Sequence, residues 1–325
     1  PFASVSKVMT FLLAIEAIEN GKAKKDDIIK IDKDIAKING SSYKLKVGEE
    51  VPLIELMKGL MIVSGNDAAV AIANHIGGNT ENFVKMMNDK AKEIGLKSTT
   101  FAPPKENIST AREIALLCKY LLDNYEKQTL EITDMQTYTY DKRSFCKNNT
   151  NSLLSIIPEV DGIKTGYTGN AGYCLAFSMK LNKDEKNEIE TRLIGVTLGA
   201  NHKNKRLDAS RNMLNYGKNN FKTFKITEKG DLIGKKYIKG IEELEVILKT
   251  SDDFYQTLGL DEEIKTQVTL KELSYPIKKG DVLGVIKYYT QNGESLGDVE
   301  IISDNTIDKI SFESRIKMII NKYKW

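Results

Sequence analysis

The chain has 325 residues, 41% of them hydrophobic, enough to bury a sizeable core and to form two domains. Its 48 basic residues nearly balance 45 acidic ones and leave a net charge of +3, which excludes the basic field that nucleic-acid binders carry. Cys118, Cys146 and Cys174 are far apart and make no C-x-x-C pair, and His75 and His202 are the only histidines, so a disulfide framework, a metal site, a cofactor and a histidine triad are not expected.

The first predicted element is a helix over residues 5–19, where Val8, Phe11, Leu12, Ile15 and Ile18 recur at helical spacing before Asn20-Gly21 stops the run. Residues 22–50 are polar with short alternating runs such as Ile28-Ile29-Lys30-Ile31, and read as an excursion over the surface. Helices follow over 53–63, led in by Pro52, from Asp67 through an alanine-rich run, over 83–94 before Gly95, and over 109–125 with Thr110 as cap. Beyond Asn151 the period becomes extended: 162–166, 172–181 and 192–198 read as strands of an antiparallel sheet, with 182–190 as a polar hairpin loop. Cys174 falls inside the second of them. A helix over 205–216 is expected to close at Gly217. Helices ahead of antiparallel strands define an α+β domain over 1–222. From Phe224 the composition shifts to short β runs at 266–273, 281–289 and 296–302, which indicates a small all-β domain over 223–311. In the tail, 312–325, Phe312, Ile316, Ile319, Ile320 and Tyr323 share one helical stripe, while Arg315, Lys317, Lys322 and Lys324 are basic. Such a segment either lies in a membrane surface or docks on the β domain. No apolar run reaches the length of a spanning helix.

Three short motifs carry chemistry. Ser4-Val5-Ser6-Lys7 is an S-x-x-K sequence at a predicted helix start, and residues three apart share a helix face, which puts Lys7 about 5 to 6 Å from Ser4. A helix N-terminus also favours a developing oxyanion. Alone the motif is weak, because serine is a favoured N-cap and lysine a common helix residue. Its weight comes from Ser64-Gly65-Asn66 and Lys164-Thr165-Gly166 following it in the order known for active-site-serine acyl enzymes.

With these motifs placed, the chain resembles the low-molecular-mass penicillin-binding proteins of the serine D-alanyl-D-alanine carboxypeptidase family. The stretches Ala3–Thr10, Ser64–Ala69, Asp161–Thr168 and Ala171–Cys174 carry the likeness, which runs through nearly the whole length. The resemblance implies a penicillin-binding/β-lactamase-like catalytic domain, a small β domain and a C-terminal membrane anchor. It implies that Ser4 is the nucleophile, Lys7 its candidate base and Ser64 a proton relay, and that Asn66 holds a substrate amide. Lys164, Thr165 and Gly166 would line the cleft edge, with Thr165 on the terminal carboxylate. Arg206 is a second candidate for that carboxylate, against the competing reading of a solvated surface arginine. The N–H groups of Ser4 and Tyr167 would form the oxyanion hole. The implied ligands are peptidoglycan stem peptides ending in D-Ala-D-Ala and β-lactam antibiotics, and the implied location is the outer face of the bacterial cytoplasmic membrane or the cell wall.

Two departures accompany the likeness. The family has strands before the S-x-x-K helix, whereas this chain begins at Pro1, so an N-terminal portion with any signal peptide is expected to be missing. The loop after Phe101-Ala102-Pro103-Pro104 is shorter than usual and lacks its customary Gly and His. Two rival functions share the motifs: a β-lactamase, for which no class A Glu-x-x-Leu-Asn element stands between Ser64 and Lys164, and a non-catalytic scaffold binding wall peptides.

Overall fold

A computed structural model describes residues 1–102, 106–181, 189–238, 241–274 and 276–308, together with Ile316 and Ile320. The tail stripe otherwise lies outside these residues, as do most of the 182–190 loop and Pro103-Pro104. The chain divides into two compact units, Pro1–Asn182 with Arg192–Asn219, and Lys183–Thr191 with Asn220–Trp325.

The first unit is built on α1 (Lys7–Glu19), in which only Glu16, Ile18 and Glu19 escape full burial. A helix apolar on nearly every side has no solvent face to offer and becomes the axis of a core. Before it runs a 3-10 turn, Ala3–Ser6; after it come β1 (Ile28–Lys30), α2 (Lys33–Ala36), β2 (Glu50–Pro52), α3 (Leu53–Ile62), α4 (Asn66–Gly77), α5 (Thr80–Ile94) and α6 (Ala111–Thr133). Helices α3, α4, α5 and α6 all contact α1. Then follow β3 (Thr137–Tyr140), β4 (Phe145–Asn148), β5 (Val160–Thr168), β6 (Gly172–Leu181), β7 (Thr191–Ala200) and α7 (Lys203–Asn220). The sheet order is β5-β6-β7, with β5 and β6 antiparallel and Lys164 opposite Ala176. Strand β5 is buried from Val160 to Gly166, because α1 and α6 lie against it, and so it reads as a continuous run rather than an alternation.

The second unit is all β. Strands β9 (Leu232–Ile238), β10 (Ile241–Thr250), β12 (Lys265–Leu270), β13 (Val282–Tyr289) and β14 (Ser295–Ser303) form one sheet in the order β12-β13-β14-β10-β9, and β8 (Phe221–Thr227) pairs with β11 (Phe254–Gly259). Val246, Leu248, Ile286, Tyr288, Val299 and Ile301 fill its core, with Phe254 stacked on Tyr288 at 4.4 Å. The α+β and all-β classes are as expected from the sequence.

Several local expectations are corrected. Ser4 sits in a 3-10 turn rather than at the cap of an α-helix, because the turn is pressed against β5. Helix α6 runs past Tyr125, whose φ of −141° kinks it; the kink shifts the apolar face to Thr129, Ile132 and Thr133 and hides the continuation from a periodicity count. Strands β3 and β4 were not anticipated, being four residues each with one inward side chain. Gly217 lies inside α7 and does not end it; a Cβ there would meet Leu193 Cδ1 at 2.8 Å, so close packing rather than termination selects glycine.

The segment 22–50 is also more than a surface excursion. Tyr43 is fully buried, its hydroxyl 2.7 Å from that of Tyr138, which in turn donates to Glu55. Arg143 lies 4.2 Å over the Tyr43 ring and donates to the carbonyls of Tyr43 and Lys44. The ring also rests on α3 at Gly59, where a Cβ would fall 2.4 to 2.8 Å from the ring carbons. With the hydroxyl and one ring face both held, the ring has nowhere to go. Gly59→Ala is therefore expected to cost about 1 to 3 kcal/mol, seen as a melting temperature lowered by about 2 to 4 °C per kcal/mol. An unchanged melting temperature would show that the ring can shift.

Candidate active site

The centre of the site is an amine between two oxygens. Lys7 Nζ donates to Ser4 Oγ at 2.7 Å and to Asn66 Oδ1 at 2.7 Å. The spacing of Ser4 and Lys7 follows from a single turn, but Asn66 arrives from the start of α4, 59 residues on. Lys7 is only 6% exposed, and this burial pulls its pKa down from 10.5 to about 8, with Asp67 acting against the fall. The two hydrogen bonds are compatible with loss of a proton. A neutral amine keeps a hydrogen for Asn66 and turns its lone pair toward the Ser4 hydroxyl, the arrangement of a base beside a nucleophile.

Asn66 is itself fixed. Its backbone N–H donates to Ser41 O at 2.7 Å and its Nδ2 to Asn39 O at 2.8 Å, so its Oδ1 is the atom left facing Lys7. Gly40 lies between those two carbonyls at φ +93°, and a Cβ there would stand 2.7 Å from Asn66 Nδ2. These partners, Asn39 to Ser41, were missed in the sequence; the signal was Gly40 within a polar stretch, too common to single out.

Ser64 is buried with φ +64°, a left-handed conformation that few residues other than glycine adopt. The third motif lies on β5. Gly166 touches the Ser4 turn, since a Cβ there would meet Ser4 N and Phe2 O at 3.0 Å. Thr165 donates to Thr150 Oγ1 at 2.7 Å, another partner the sequence did not announce. Lys164 is 1% exposed and its Nζ donates to Thr165 O at 3.1 Å. Burial, Lys7 and Arg206, in that order, hold its pKa well below the ordinary lysine value.

Arg206 is buried, which answers the surface reading. Only 5% exposed, it donates from Nη1 to Cys174 O at 3.5 Å, while its Nε has no partner. Burial lowers its pKa as well. Among the described residues, none of Lys7, Lys164 and Arg206 is within ion-pair distance of a carboxylate. Buried charges without counter-charge are expensive, and a site so arranged is short of an anion.

Ser4, Lys7, Asn66 and Tyr167 line one cavity of about 480 Å³, whose walls continue along α4 and α5 through Val70, Ala73, Phe83 and Met87. Ser64, Lys164, Thr165 and Arg206 are buried outside that lining. Tyr167 is 57% exposed, its ring 4.3 Å from that of Tyr173 and tilted against it by 31°.

Comparison with known proteins gives the family. Residues 1–202 match the family model described as D-alanyl-D-alanine carboxypeptidase, and residues 221–309 match that of the penicillin-binding protein 5 C-terminal domain. The chain is 34% identical to the D-alanyl-D-alanine carboxypeptidase DacF of Bacillus subtilis, over 97% of this chain and 82% of the relative. It is 32% identical to DacC of Escherichia coli, over 97% and 80%. The crystal structure of penicillin-binding protein 5 from Haemophilus influenzae superposes with a TM-score of 0.76 at 30% identity, covering 94% of this chain and 90% of that one. The fold and the matched sequence define a serine peptidase with a β-rich partner domain. The chain belongs to the D-alanyl-D-alanine carboxypeptidase family.

If Lys7 must be neutral to accept the Ser4 proton, acylation of Ser4 by a small activated ester, followed by intact mass, should rise with pH and reach half its maximum near pH 8. A rate that is flat from pH 6 to 10 would remove Lys7 from that role.

Proposed function

We propose that Ser4, Lys7 and Ser64 carry out a D-alanyl-D-alanine carboxypeptidase reaction on peptidoglycan stem peptides. The observation that carries this is the 2.7 Å contact between Ser4 Oγ and a buried lysine whose pKa has fallen to about 8. Ser4 Oγ attacks the carbonyl of the penultimate D-alanine while its proton passes to Lys7. The backbone N–H groups of Ser4 and Tyr167 receive the oxyanion, a contribution typically worth on the order of 10² to 10³ in rate. Ser64 relays the proton to the departing amine, the C–N bond breaks and D-alanine leaves. Water then attacks the ester, and Ser4 regains its hydroxyl as the shortened peptide departs.

The terminal carboxylate is the anion that buried Lys164 and Arg206 lack. Lys164, Thr165 and Arg206 sit on β5 and α7 beside the nucleophile, and the unpartnered Arg206 Nε supports a role in holding that carboxylate. The edge of β5 near Gly166 suits backbone pairing with an extended peptide. One Nδ2 hydrogen of Asn66 remains for the substrate amide, the other being on Asn39 O.

The experiment is incubation with fluorescent penicillin alongside release of D-alanine from a D-Ala-D-Ala pentapeptide. Lasting label on the wild-type chain and none on Ser4→Ala, with that variant folded, is the expected result. A C-terminally amidated peptide should react at least about tenfold more slowly, as a charged hydrogen bond is worth about 1.5 to 3 kcal/mol. Rapid turnover of penicillin would instead assign a β-lactamase, and absence of any adduct a scaffold.

The proposed place of action is the outer face of the cytoplasmic membrane or the wall, with the 312–325 tail on the membrane surface. The basic residues beside the apolar stripe support it, each contributing about 1 kcal/mol near an anionic leaflet. Among the described residues no helix is long and apolar enough to cross a membrane. Sedimentation with anionic vesicles at low salt should carry down the full chain and leave a chain ending at Ser311 in the supernatant; equal behaviour of the two would end the proposal.

A further inference from the structure

Asp67, the residue after the second motif, is 2% exposed and takes no part in the steps above. Its Oδ1 accepts from Tyr43 N at 2.8 Å and from Ala68 N at 2.9 Å. Its Oδ2 accepts from Ser42 Oγ at 2.7 Å and from Leu45 N at 3.2 Å. Three of these four donors belong to residues 42–45, so that one carboxylate folds this loop around itself. Gly65 admits the loop, because a Cβ there would stand 2.8 Å from Asp67 Oδ1 and 2.9 Å from Tyr43 Cβ. The same loop supplies the carbonyl of Asn39, which accepts from the Asn66 side-chain amide, and that of Ser41, which accepts from the Asn66 backbone N–H.

From this chain of contacts we infer that Asp67 is a positioning residue for the serine chemistry: its carboxylate shapes the 39–45 loop, the loop fixes which end of the Asn66 amide faces Lys7, and Asn66 holds Lys7 on Ser4. An amide is nearly symmetric in shape, and only its partners decide whether oxygen or NH₂ points at an ammonium. With Asn39 O in place on Nδ2, Oδ1 is directed at Lys7. With the loop released, the amide turns freely, and in half of its orientations it presents hydrogens to the lysine. This inference rests on the proposed roles of Ser4 and Lys7.

Asp67 also acts on Lys7 through its charge. The charged groups set around Lys7 are Asp67 on α4 and Lys164 on β5, with Glu106 on the wall of the same cavity. Of these, Asp67 favours the protonated amine, so its removal moves the rising limb of the pH profile to lower pH.

The test uses Asp67→Asn in the full chain, with the second-order rate of penicillin acylation measured per folded molecule from pH 6 to 10. The expected result is a rate at least about tenfold lower at the plateau and a half-maximum below pH 8. A rate within threefold of wild type overturns the inference. So does a lower rate with an unmoved half-maximum, because loss of folded structure alone leaves Lys7 titrating as before. Where Asp67→Asn fails to fold, Ser42→Ala decides: it keeps the carboxylate charge and removes one tie to the loop. That variant should acylate at least threefold more slowly with its half-maximum and melting temperature unchanged, and a wild-type rate in it overturns the inference. Failure of the wild-type chain to label at Ser4 is a different result, and it counts against the proposed function instead.

Discussion

An amine buried between a serine hydroxyl and an asparagine carbonyl sets the terms for the rest of the first unit. Removing Lys7 from water disfavours its charged form, and in the function proposed above that same penalty is what lets it serve Ser4 as a base. The fold bears the cost. The folded-state pKa, about 8, lies below the unfolded value of 10.5, so below pH 8 the unfolded chain binds this proton more tightly. Lys7 therefore destabilises the native state there by about 3 kcal/mol, a penalty relieved as pH rises from 8 toward 10.5. Eight buried apolar residues of α1 and the helices around it offset that cost, at about 1.5 to 3 kcal/mol for each large apolar side chain.

The same logic extends to Lys164 and Arg206. Burial lowers the pKa of each, Lys7 and Arg206 lower that of Lys164 further, and an anionic ligand bound beside them would offset the cost of burying their charge. In the function proposed above, recognition of a terminal carboxylate and activation of the nucleophile are two uses of one electrostatic arrangement.

The second unit has a core of its own. Its stability comes from an apolar core between Val246 and Ile307 and from paired hydroxyls such as that of Thr227 on Tyr288, and its strands show the alternation of side chains that a half-buried sheet requires.

The sequence alone determined the motifs and their order, the α+β and all-β classes, and most helices of the first unit, because these depend on short-range spacing and on periodic burial. Ser4 and Lys7 could be paired from a single turn of chain. It did not show that Asn66 would meet Lys7 across 59 residues, that Asn39 and Ser41 would orient that amide, or that Thr150 would hold Thr165. Nor could it decide whether Arg206 faces water, since an arginine in a polar helix has the same local pattern whether buried or exposed. A stretch such as 22–50, polar and weakly periodic, looks like surface until Tyr43 is seen beneath α3 and the loop beside it is seen folded on Asp67. Those relations join residues far apart in the chain, and only tertiary packing, which brings separate backbones to within a few ångströms, creates the burial that shifts a pKa and the contacts that fix an amide.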